Sequence, residues 1–375
     1  MAIKVVPYEA RHESAVAKFN QRMAHGDTGW GWYERSTDVW LPDRTEDKRT
    51  WREHFVAVDD DDEVRGAYAH KPHYWHIKGE TILVSDWQGP VSEGLLSPRY
   101  ATLGLRLIRE MLKRYPVLYS WGHGGHEAAM LQMIVKLGWL IHDTPFCLKV
   151  KHPFPFLRRN RYLRQSPRNR LALDVLAFTG LGWLGLKALH FILGLRAGST
   201  RGIEVEVVDA FGPWADAVWE RCLGAYAAVG FRDAATLNDL NPTDGRWPGG
   251  IRLRVKRNGE DVGWAVVTDN QLEDDPRFGD LRVGCVADCL AAPEDAAVVV
   301  GAATRFLESR GVDMIGSNQA HPDWIAGFAA AGYVILGRRR FFAVSPEFQK
   351  VLAPFEETAR GLHMTNMDGH GPSGF

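Results

Sequence analysis

Apolar and polar positions along the chain alternate with periods of two and of about 3.6, which predicts strands and helices in turn. Each half begins with a strand, continues through helix and β-hairpin, and then repeats one order of strand and helix. The later elements predicted are strands at 81–87 and 281–290, helices at 99–114 and 295–310, strands at 117–121 and 313–317, helices at 127–137 and 322–331, and last strands at 140–150 and 334–344. This succession is typical of a mixed α/β fold.

The two halves also match each other in sequence at an offset of roughly 200 positions. Leu83 to Trp87 falls on Cys285 to Cys289, and Lys136 to Trp139 falls on Ala330 to Tyr333. Three further short blocks match in the same order. A duplication explains this order better than the alternative, two unrelated α/β domains. The predicted division is a first domain at 1–150, a connector at 151–202, a second domain at 203–350 and a C-terminal tail at 351–375.

Composition and charge exclude several classes of protein. With 375 residues, 45% of them hydrophobic, the chain can bury a large core. Lysine and arginine (45) balance aspartate and glutamate (46), so nothing in the net charge of −1 predicts a DNA-binding protein. The four cysteines are too irregularly spaced for a disulfide framework or a zinc knuckle, which favours a reducing cytoplasm. We expect neither a secretory signal nor a membrane-spanning helix.

The order of elements, with Gly104 in a loop that opens a helix and a helix-Gly-Trp-strand element at Lys136 to Trp139, resembles the GNAT family of acyl-CoA-dependent N-acyltransferases. The tandem arrangement is similar to the paired-GNAT branch, which includes transferases of the FemAB type. The resemblance implies two GNAT-like mixed α/β domains joined by a basic and apolar helical connector. It also implies acetyl-CoA or another acyl-CoA as co-substrate, direct attack by an amine, and no metal.

The family holds the pyrophosphate of CoA on backbone amides at a helix N-terminus, where N–H groups lack internal partners and the helix dipole is positive. The matching segment here runs through Arg99, Tyr100, Ala101, Thr102, Leu103 and Gly104, with Thr102 where the family has glycine. In the second half only the last glycine of this pattern remains, and Glu294 and Asp295 precede it. We therefore expect the donor in the first half, the second half being degenerate or acceptor-binding.

Candidate catalytic residues follow from the same resemblance. Asp86 and its repeat Asp288 lie on the strand that the family places beside the thioester, and a buried aspartate can act as a base. His123 and His126, in a glycine loop after the next strand, are the other candidate bases. The tyrosine that many members use to protonate the departing thiolate is replaced by Ile134 and Phe328. The histidines at 70–76 are not expected to bind a metal, because no cysteine or carboxylate completes the ligand set.

Aromatic residues indicate where the acceptor binds. Trp30, Trp32 and Tyr33 lie in a glycine-flanked loop at the place of the acceptor loop in the family, and Trp87 follows Asp86. They favour an acceptor amine that is a small molecule or is linked to a lipid. We expect this amine to belong to an amino sugar or amino acid, in surface-polysaccharide or envelope-precursor synthesis. A hydrophobic cluster beneath a loop is the simpler interpretation. The alternative functions are FemAB-like aminoacyl transfer from charged tRNA and a catalytically silent binding or scaffold protein.

The connector is strongly basic. Six arginines and two lysines lie between Lys149 and Arg170 with no acidic residue, and an uncharged run follows from Val175 to Leu186. Such a segment is typical of a peripheral membrane contact. The residues predicted to make it are Arg158, Arg159, Arg161, Arg164 and Trp183, which would hold the protein on the cytoplasmic face of the inner membrane. The alternatives are an inter-domain helix or a patch for CoA phosphates or RNA. The tail is expected to be loose, a strand docked in the cleft being the alternative.

Overall fold

The computed structural model describes residues 3–37, 41–123, 129–185, 188, 201–243, 250–369 and 371. None of the helices in these ranges is long and apolar enough to cross a membrane. The described helices are α1 (Glu13–His25), α2 (Leu103–Arg114), α3 (Ala129–Lys136), α4 (Pro153–Arg159), α5 (Pro167–Phe178), α6 (Pro213–Cys222), α7 (Ala234–Leu240), α8 (Ala296–Ser309), α9 (Pro322–Ala330), α10 (Pro346–Val351) and α11 (Phe355–Arg360).

The described strands join in one mixed sheet. They are β1 (Lys4–Pro7), β2 (Glu53–Val58), β3 (Val64–Ile77), β4 (Glu80–Ser92), β5 (Leu118–His123), β6 (Leu140–Val150), β7 (Ile203–Val208), β8 (Ala228–Gly230), β9 (Ile251–Arg257), β10 (Glu260–Gln271), β11 (Arg282–Ala291), β12 (Met314–Asn318), β13 (Val334–Val344) and β14 (Leu362–His363). Their order is β1-β2-β3-β4-β5-β13-β6-β12-β11-β10-β9-β7, with β8 against β3 and β14 against β8. The predicted mixed α/β class is confirmed.

The sheet has the same order when it is followed inward from either edge. In the first half β4 lies between antiparallel β3 and parallel β5, and in the second half β11 lies between antiparallel β10 and parallel β12. The strands predicted at 81–87 and 281–290 therefore occupy equivalent positions in the sheet.

The last strand of each half, β6 in the first and β13 in the second, pairs with a strand of the other half. Strand β13 pairs with β5, placing Phe342 opposite Trp121, and β6 pairs with β12, placing Leu148 opposite Gly316. The two exchanged strands also pair with each other, so no sheet edge separates the halves. The predicted domain boundaries at residues 150 and 203 stay a prediction. The sheet does not mark them, because its strands continue without a break from one half to the other.

Helix α2 illustrates how the sequence pattern produces this packing. Its buried residues, Leu103, Leu107, Ile108 and Met111, recur at the spacing that makes one apolar stripe. The stripe covers β3 and β4 and contacts Trp87 in the core. Helix α8 covers β10 and β11 in the same way. Truncating one such side chain, Leu107 to alanine, would cost about 2–5 kcal/mol.

The C-terminal segment is docked. Strand β14 pairs with β8, and the residues from Met364 to Asp368 are buried, which differs from the expected loose tail. The segment runs along the boundary between the halves. It thereby brings backbone carbonyl groups to β3 and β4 and polar side chains to β11.

Candidate functional site

Strands β4 and β5 separate soon after they meet. They pair only at Ser85 with Leu118 and at Asp86 with Tyr119, and beyond these residues they diverge. The Asp86 side chain lies at the branch point, where its Oδ1 accepts a hydrogen bond of 3.3 Å from the backbone N–H of Trp121. The Asp86 carboxyl group therefore lies where the backbone pairing between β4 and β5 ends.

Five buried charged residues form what we call the central ion cluster: Lys71, Asp86, Arg232, Asp288 and Asp368. Lys71 is the cross-strand neighbour of Asp86. The Arg232 guanidinium donates to Asp288 Oδ2 over 2.9 Å and to Asp368 Oδ1 over 2.6 Å. The cluster joins the first half, the second half and the C-terminal segment, because each contributes at least one charge.

The cluster holds three carboxyl groups against two cations, which favours retention of a proton. Burial raises the pKa of the Asp86 carboxyl to about 7, although Gln88 and Lys71 oppose the shift. Burial also raises the pKa of Asp288 to about 6; Arg232 opposes the shift and the charge of Asp368 adds to it. Burial lowers the pKa of the Lys71 ammonium to about 8. Asp86 is thus the group poised to exchange a proton near neutral pH.

The C-terminal segment supplies backbone oxygens to this cluster. Lys71 Nζ donates to the carbonyl oxygens of Met367 and Gly369, and Gln88 Nε2 donates to that of Gly369 over 2.9 Å. Gly369 approaches the Trp121 ring so closely that an added Cβ would lie 2.4 Å from it. Glycine at this position is what allows the segment to pass over β5.

Gln88 links Asp86 to a cavity of about 790 Å³ in the first half. Its Nε2 donates to Asp86 Oδ2 over 2.7 Å, and its Oε1 accepts from Arg52 over 2.5 Å. Arg52 lines the cavity together with Arg44 and Arg114. Among the described residues, none of these three guanidinium groups has a carboxylate within 4 Å. Each guanidinium group instead lies over an aromatic ring, which is Trp51 for Arg44, Tyr33 for Arg52 and Phe55 for Arg114.

His54 also lines this cavity and is 8% exposed. Burial lowers its pKa to about 3, so the ring is neutral at pH 7. Within the described part of the chain, neither ring nitrogen has a hydrogen-bond partner. A buried polar group without a partner is costly, so His54 is suited to meet a polar ligand in the cavity.

The predicted donor loop is on the surface, at the end of β4 toward which the strands diverge. Pro98–Tyr100 forms a short 3₁₀ helix with Ser97 at its N-cap, although the Ser97 side chain makes no capping bond. Arg99 and Thr102 are exposed, Gly104 has open space around it, and Tyr100 and Leu103 are buried. The loop thus has exposed side chains on its outer surface and buried side chains that anchor the loop to the core.

The predicted acceptor aromatics are divided by the structure. Trp30 is 64% exposed, and Tyr33 stacks on His54 at 4.8 Å. Trp32 and Trp87 are buried, the latter against Trp139 at 6.0 Å. Tyr33 and Trp32 therefore both contact His54 of the cavity, Trp32 edge-on at 5.5 Å, and the Tyr33 hydroxyl also accepts from Arg52.

The backbone of His123 pairs with Arg340, whereas its side chain and the whole of His126 lie outside the described residues. Ile134 and Phe328 are buried in the core, so neither position supplies a proton donor. Among the described residues, no group of three or more histidine, cysteine or acidic side chains is arranged to hold a metal ion.

The second half has the equivalent opening between β11 and β12, but the C-terminal segment fills it. Asn366 lies between the two strands, donating to Cys285 Sγ at 3.4 Å and accepting from Asn318 at 2.9 Å. Asp288 is held by Arg232 and by the Thr365 hydroxyl. At the start of α8, Asp295 pairs with Arg257. Within the described part of the chain, the opening of the first half is therefore the one that the C-terminal segment does not fill.

Sequence reasoning missed Lys71, Gln88, Arg232, Asp368 and the three cavity arginines. Arg232 and Asp368 are 136 positions apart in the chain, and no local spacing connects them. Lys71 carried the only available signal, a lysine among the histidines of residues 70–76.

Comparison of structures shows the fold. The chain is similar to Saccharomyces cerevisiae N-myristoyltransferase with bound myristoyl-CoA, with a TM-score of 0.52 and 8% identity over 92% of this chain and 80% of that chain. It is also similar to a GCN5-related N-acetyltransferase from Anabaena variabilis, with a TM-score of 0.50 and 9% identity over 91% and 72% of the two chains. Neither a protein-family model nor a curated protein matches the sequence. The GNAT-like fold that the resemblance implied is confirmed.

We predict that Arg232→Met lowers the free energy of unfolding by about 3–5 kcal/mol, because it leaves two buried carboxylates without their cation. Their folded-state pKa values would then lie above the unfolded value, so the loss should shrink as the pH falls toward 5. Urea unfolding at pH 5 and pH 8 measures both effects.

Two further variants serve as controls. Asp288→Asn added to Arg232→Met removes one uncompensated charge and should recover part of the loss, and Arg11→Met breaks only the exposed pair with Glu9. A loss in Arg232→Met that is the same at both pH values would contradict this account of the cluster.

Proposed function

We propose that the chain is an acyl-CoA-dependent N-acyltransferase whose donor binds in the first half. The observation that carries the proposal is the separation of β4 from β5 at Asp86, a carboxyl group with a pKa of about 7. An extended donor arm would lie where the two strands diverge, and the Asp86 carboxyl group at this point would act as the base. The similarity to N-acyltransferase structures supports the fold on which this chemistry occurs.

The donor loop supports a CoA pyrophosphate at the start of α2. The N–H groups of the first helical turn lack intrahelical partners, and the helix dipole is positive there. Arg99 adds a cation, and the space around Gly104 lets a phosphate approach the backbone. Glu93 is neutralised by Arg22 and Arg65, so it does not oppose an anion. At the matching place in the second half Asp295 is paired with Arg257, and Glu294 opposes an anion.

In the proposed reaction the acceptor ammonium gives one proton to the Asp86 carboxylate, and the free amine attacks the thioester carbon. The C–N bond forms and the C–S bond breaks, with the second nitrogen proton passing to the departing thiolate. The β4 bulge at Gly89, where φ is +54°, exposes backbone that can hold the oxyanion. Asp86 then releases its proton to solvent.

The cavity beside Gln88 supports an acceptor that carries both an amine and an anion. Arg44, Arg52 and Arg114 would bind a carboxylate or phosphate, and His54 would hydrogen-bond a hydroxyl or carbonyl group. Amino acids and phosphorylated or carboxylated amino sugars have this chemistry. We place the reaction in surface-polysaccharide or envelope-precursor synthesis, with a soluble or lipid-linked amine, on the cytoplasmic face of the inner membrane.

Donor binding is tested by calorimetry with acetyl-CoA and a longer acyl-CoA. We predict that Arg99→Glu weakens binding tenfold or more, since it places a negative charge beside the pyrophosphate. The matched control is Arg305→Glu on α8, which should bind as the wild type does. An absence of binding by the wild-type chain at millimolar donor would reject the enzyme and leave the silent scaffold.

The role of Asp86 is tested by the pH dependence of acyl transfer. A base must be deprotonated, so kcat/KM should rise about tenfold per pH unit below pH 7 and level off above it. Asp86→Asn should lower kcat by about 10²–10⁴ and remove this dependence. In Asp288→Asn the midpoint near pH 7 should persist, whatever the loss of stability. A wild-type profile that is flat between pH 5 and 8 would assign the base elsewhere.

The acceptor site is tested with amines offered as pairs, for example glucosamine and glucosamine 6-phosphate. We expect Arg52→Met to raise KM for the anionic member by tenfold or more, and for the neutral member little, because a charged hydrogen bond contributes about 1.5–3 kcal/mol. Donor affinity should stay unchanged. The control is Arg109→Met, on the exposed side of α2. Equal losses for both amines would show that Arg52 acts through Gln88 rather than through the ligand.

A further inference from the structure

The connector presents a large apolar surface that the rest of the described chain does not cover. We call α4, α5 and the helical residues 181–185 the connector hairpin. No residue of α5 is buried, although seven of its twelve side chains are apolar. Its inner side, at Leu173 and Ala177, packs against the cluster around Val150 and Phe156.

The outer side of α5 is a continuous apolar stripe. Leu171, Val175 and Phe178 recur at the spacing of one helix face, and Leu171 and Phe178 are each 68% exposed. Phe154, Leu181 and Leu184 extend the surface and are at least half exposed. Contiguous exposed apolar area of this kind marks an interaction site.

A basic cavity of about 590 Å³ lies beside this stripe. Five arginines and one aspartate line it: Arg158, Arg159, Arg161, Arg164, Arg170 and Asp280. Asp174 pairs with two of the arginines and Asp274 with another. Five guanidinium groups against three carboxylates still leave two positive charges in excess.

The cavity and the stripe form one surface. Arg158 lines the cavity and also lies over the Phe178 ring, 4.9 Å from its centroid, and Phe178 contacts Phe154 at 5.6 Å. A ligand that covers the stripe would therefore bring its polar rim to the arginines.

We propose that the connector hairpin is a docking surface for an anionic lipid bilayer, with lipid phosphates at the arginine cavity and the apolar stripe inserted among the acyl chains. Aromatic and aliphatic side chains beside clustered arginines fit the boundary between headgroups and hydrocarbon. Each arginine near an anionic leaflet is attracted to it, and the attraction falls within a Debye length. This inference is independent of the acyltransferase proposal, since it concerns where the chain binds and not what it catalyses.

Flotation of the purified full-length chain with vesicles tests the proposal. Vesicles of phosphatidylcholine alone are compared with vesicles that contain 30% phosphatidylglycerol. We expect flotation with the anionic vesicles at 0.1 M salt, a severalfold decrease at 1 M salt, and little with neutral vesicles. Free inorganic phosphate at 10 mM should not release the protein, because the bilayer and not the phosphate ion alone is the ligand.

Two sets of variants separate the apolar and basic contributions. Leu171→Ser with Phe178→Ser should reduce flotation tenfold or more while every arginine remains. Arg158→Gln, Arg159→Gln, Arg161→Gln and Arg164→Gln together should do the same. Arg159→Gln with Arg170→Gln leaves every ion pair of the hairpin intact and should reduce flotation severalfold even if the fourfold variant is unstable.

Matched controls remove similar groups elsewhere. Val205→Ser with Val207→Ser changes the exposed face of β7, and Arg109→Gln with Lys113→Gln changes α2; both should float as the wild type does. Circular dichroism and thermal melting check the fold of each variant. The proposal is overturned if the wild type stays unbound with anionic vesicles at low salt. It is also overturned if the controls lose as much as the hairpin variants, or if the serine variant only abolishes self-association measured by sedimentation.

Discussion

The rest of the structure depends on burying five charges at the one place where three segments meet. Arg232 satisfies Asp288 from its own half and Asp368 from the C-terminal segment, while Lys71 faces Asp86 across two strands of the first half. A buried charge without its partner costs several kcal/mol, so the three segments must all be in register together. Apolar side chains of equal volume often stabilise a core as well. Stability alone therefore does not account for the cluster, whereas the proposed role of Asp86 as a base would.

The exchanged strands impose the same condition on the backbone. Because β13 lies between β5 and β6, the first half has no complete sheet until the second half has been added. The pairing of β5 with β13 joins residues more than 200 positions apart. The two halves thus share one sheet, and the C-terminal segment can reach both of them.

Local pattern was enough to predict the elements but not their partners. The apolar stripe of α2, the glycine after α3 and the alternation in β11 are properties of neighbouring residues, and these elements lie where the pattern places them. The exchange of β6 and β13 leaves no such trace, because both strands have the same apolar pattern and fit either neighbour. Asp86 could be singled out since it repeats at Asp288. Arg232, Asp368 and Arg52 acquire their roles only through contacts made across the fold.

The two openings in the sheet differ in what occupies them. In both, a pair of parallel strands diverges beside an aspartate. In the second half Asn366 and Thr365 occupy the space with hydrogen bonds to β11 and β12, so the opening has become part of the core. In the first half the carbonyl group of Gly369, in the same segment, accepts hydrogen bonds from Lys71 and Gln88 beside Asp86. Among the described residues, one peptide segment thus fills the opening of the second half and only borders that of the first, where Gln88 connects Asp86 to Arg52 and the cavity.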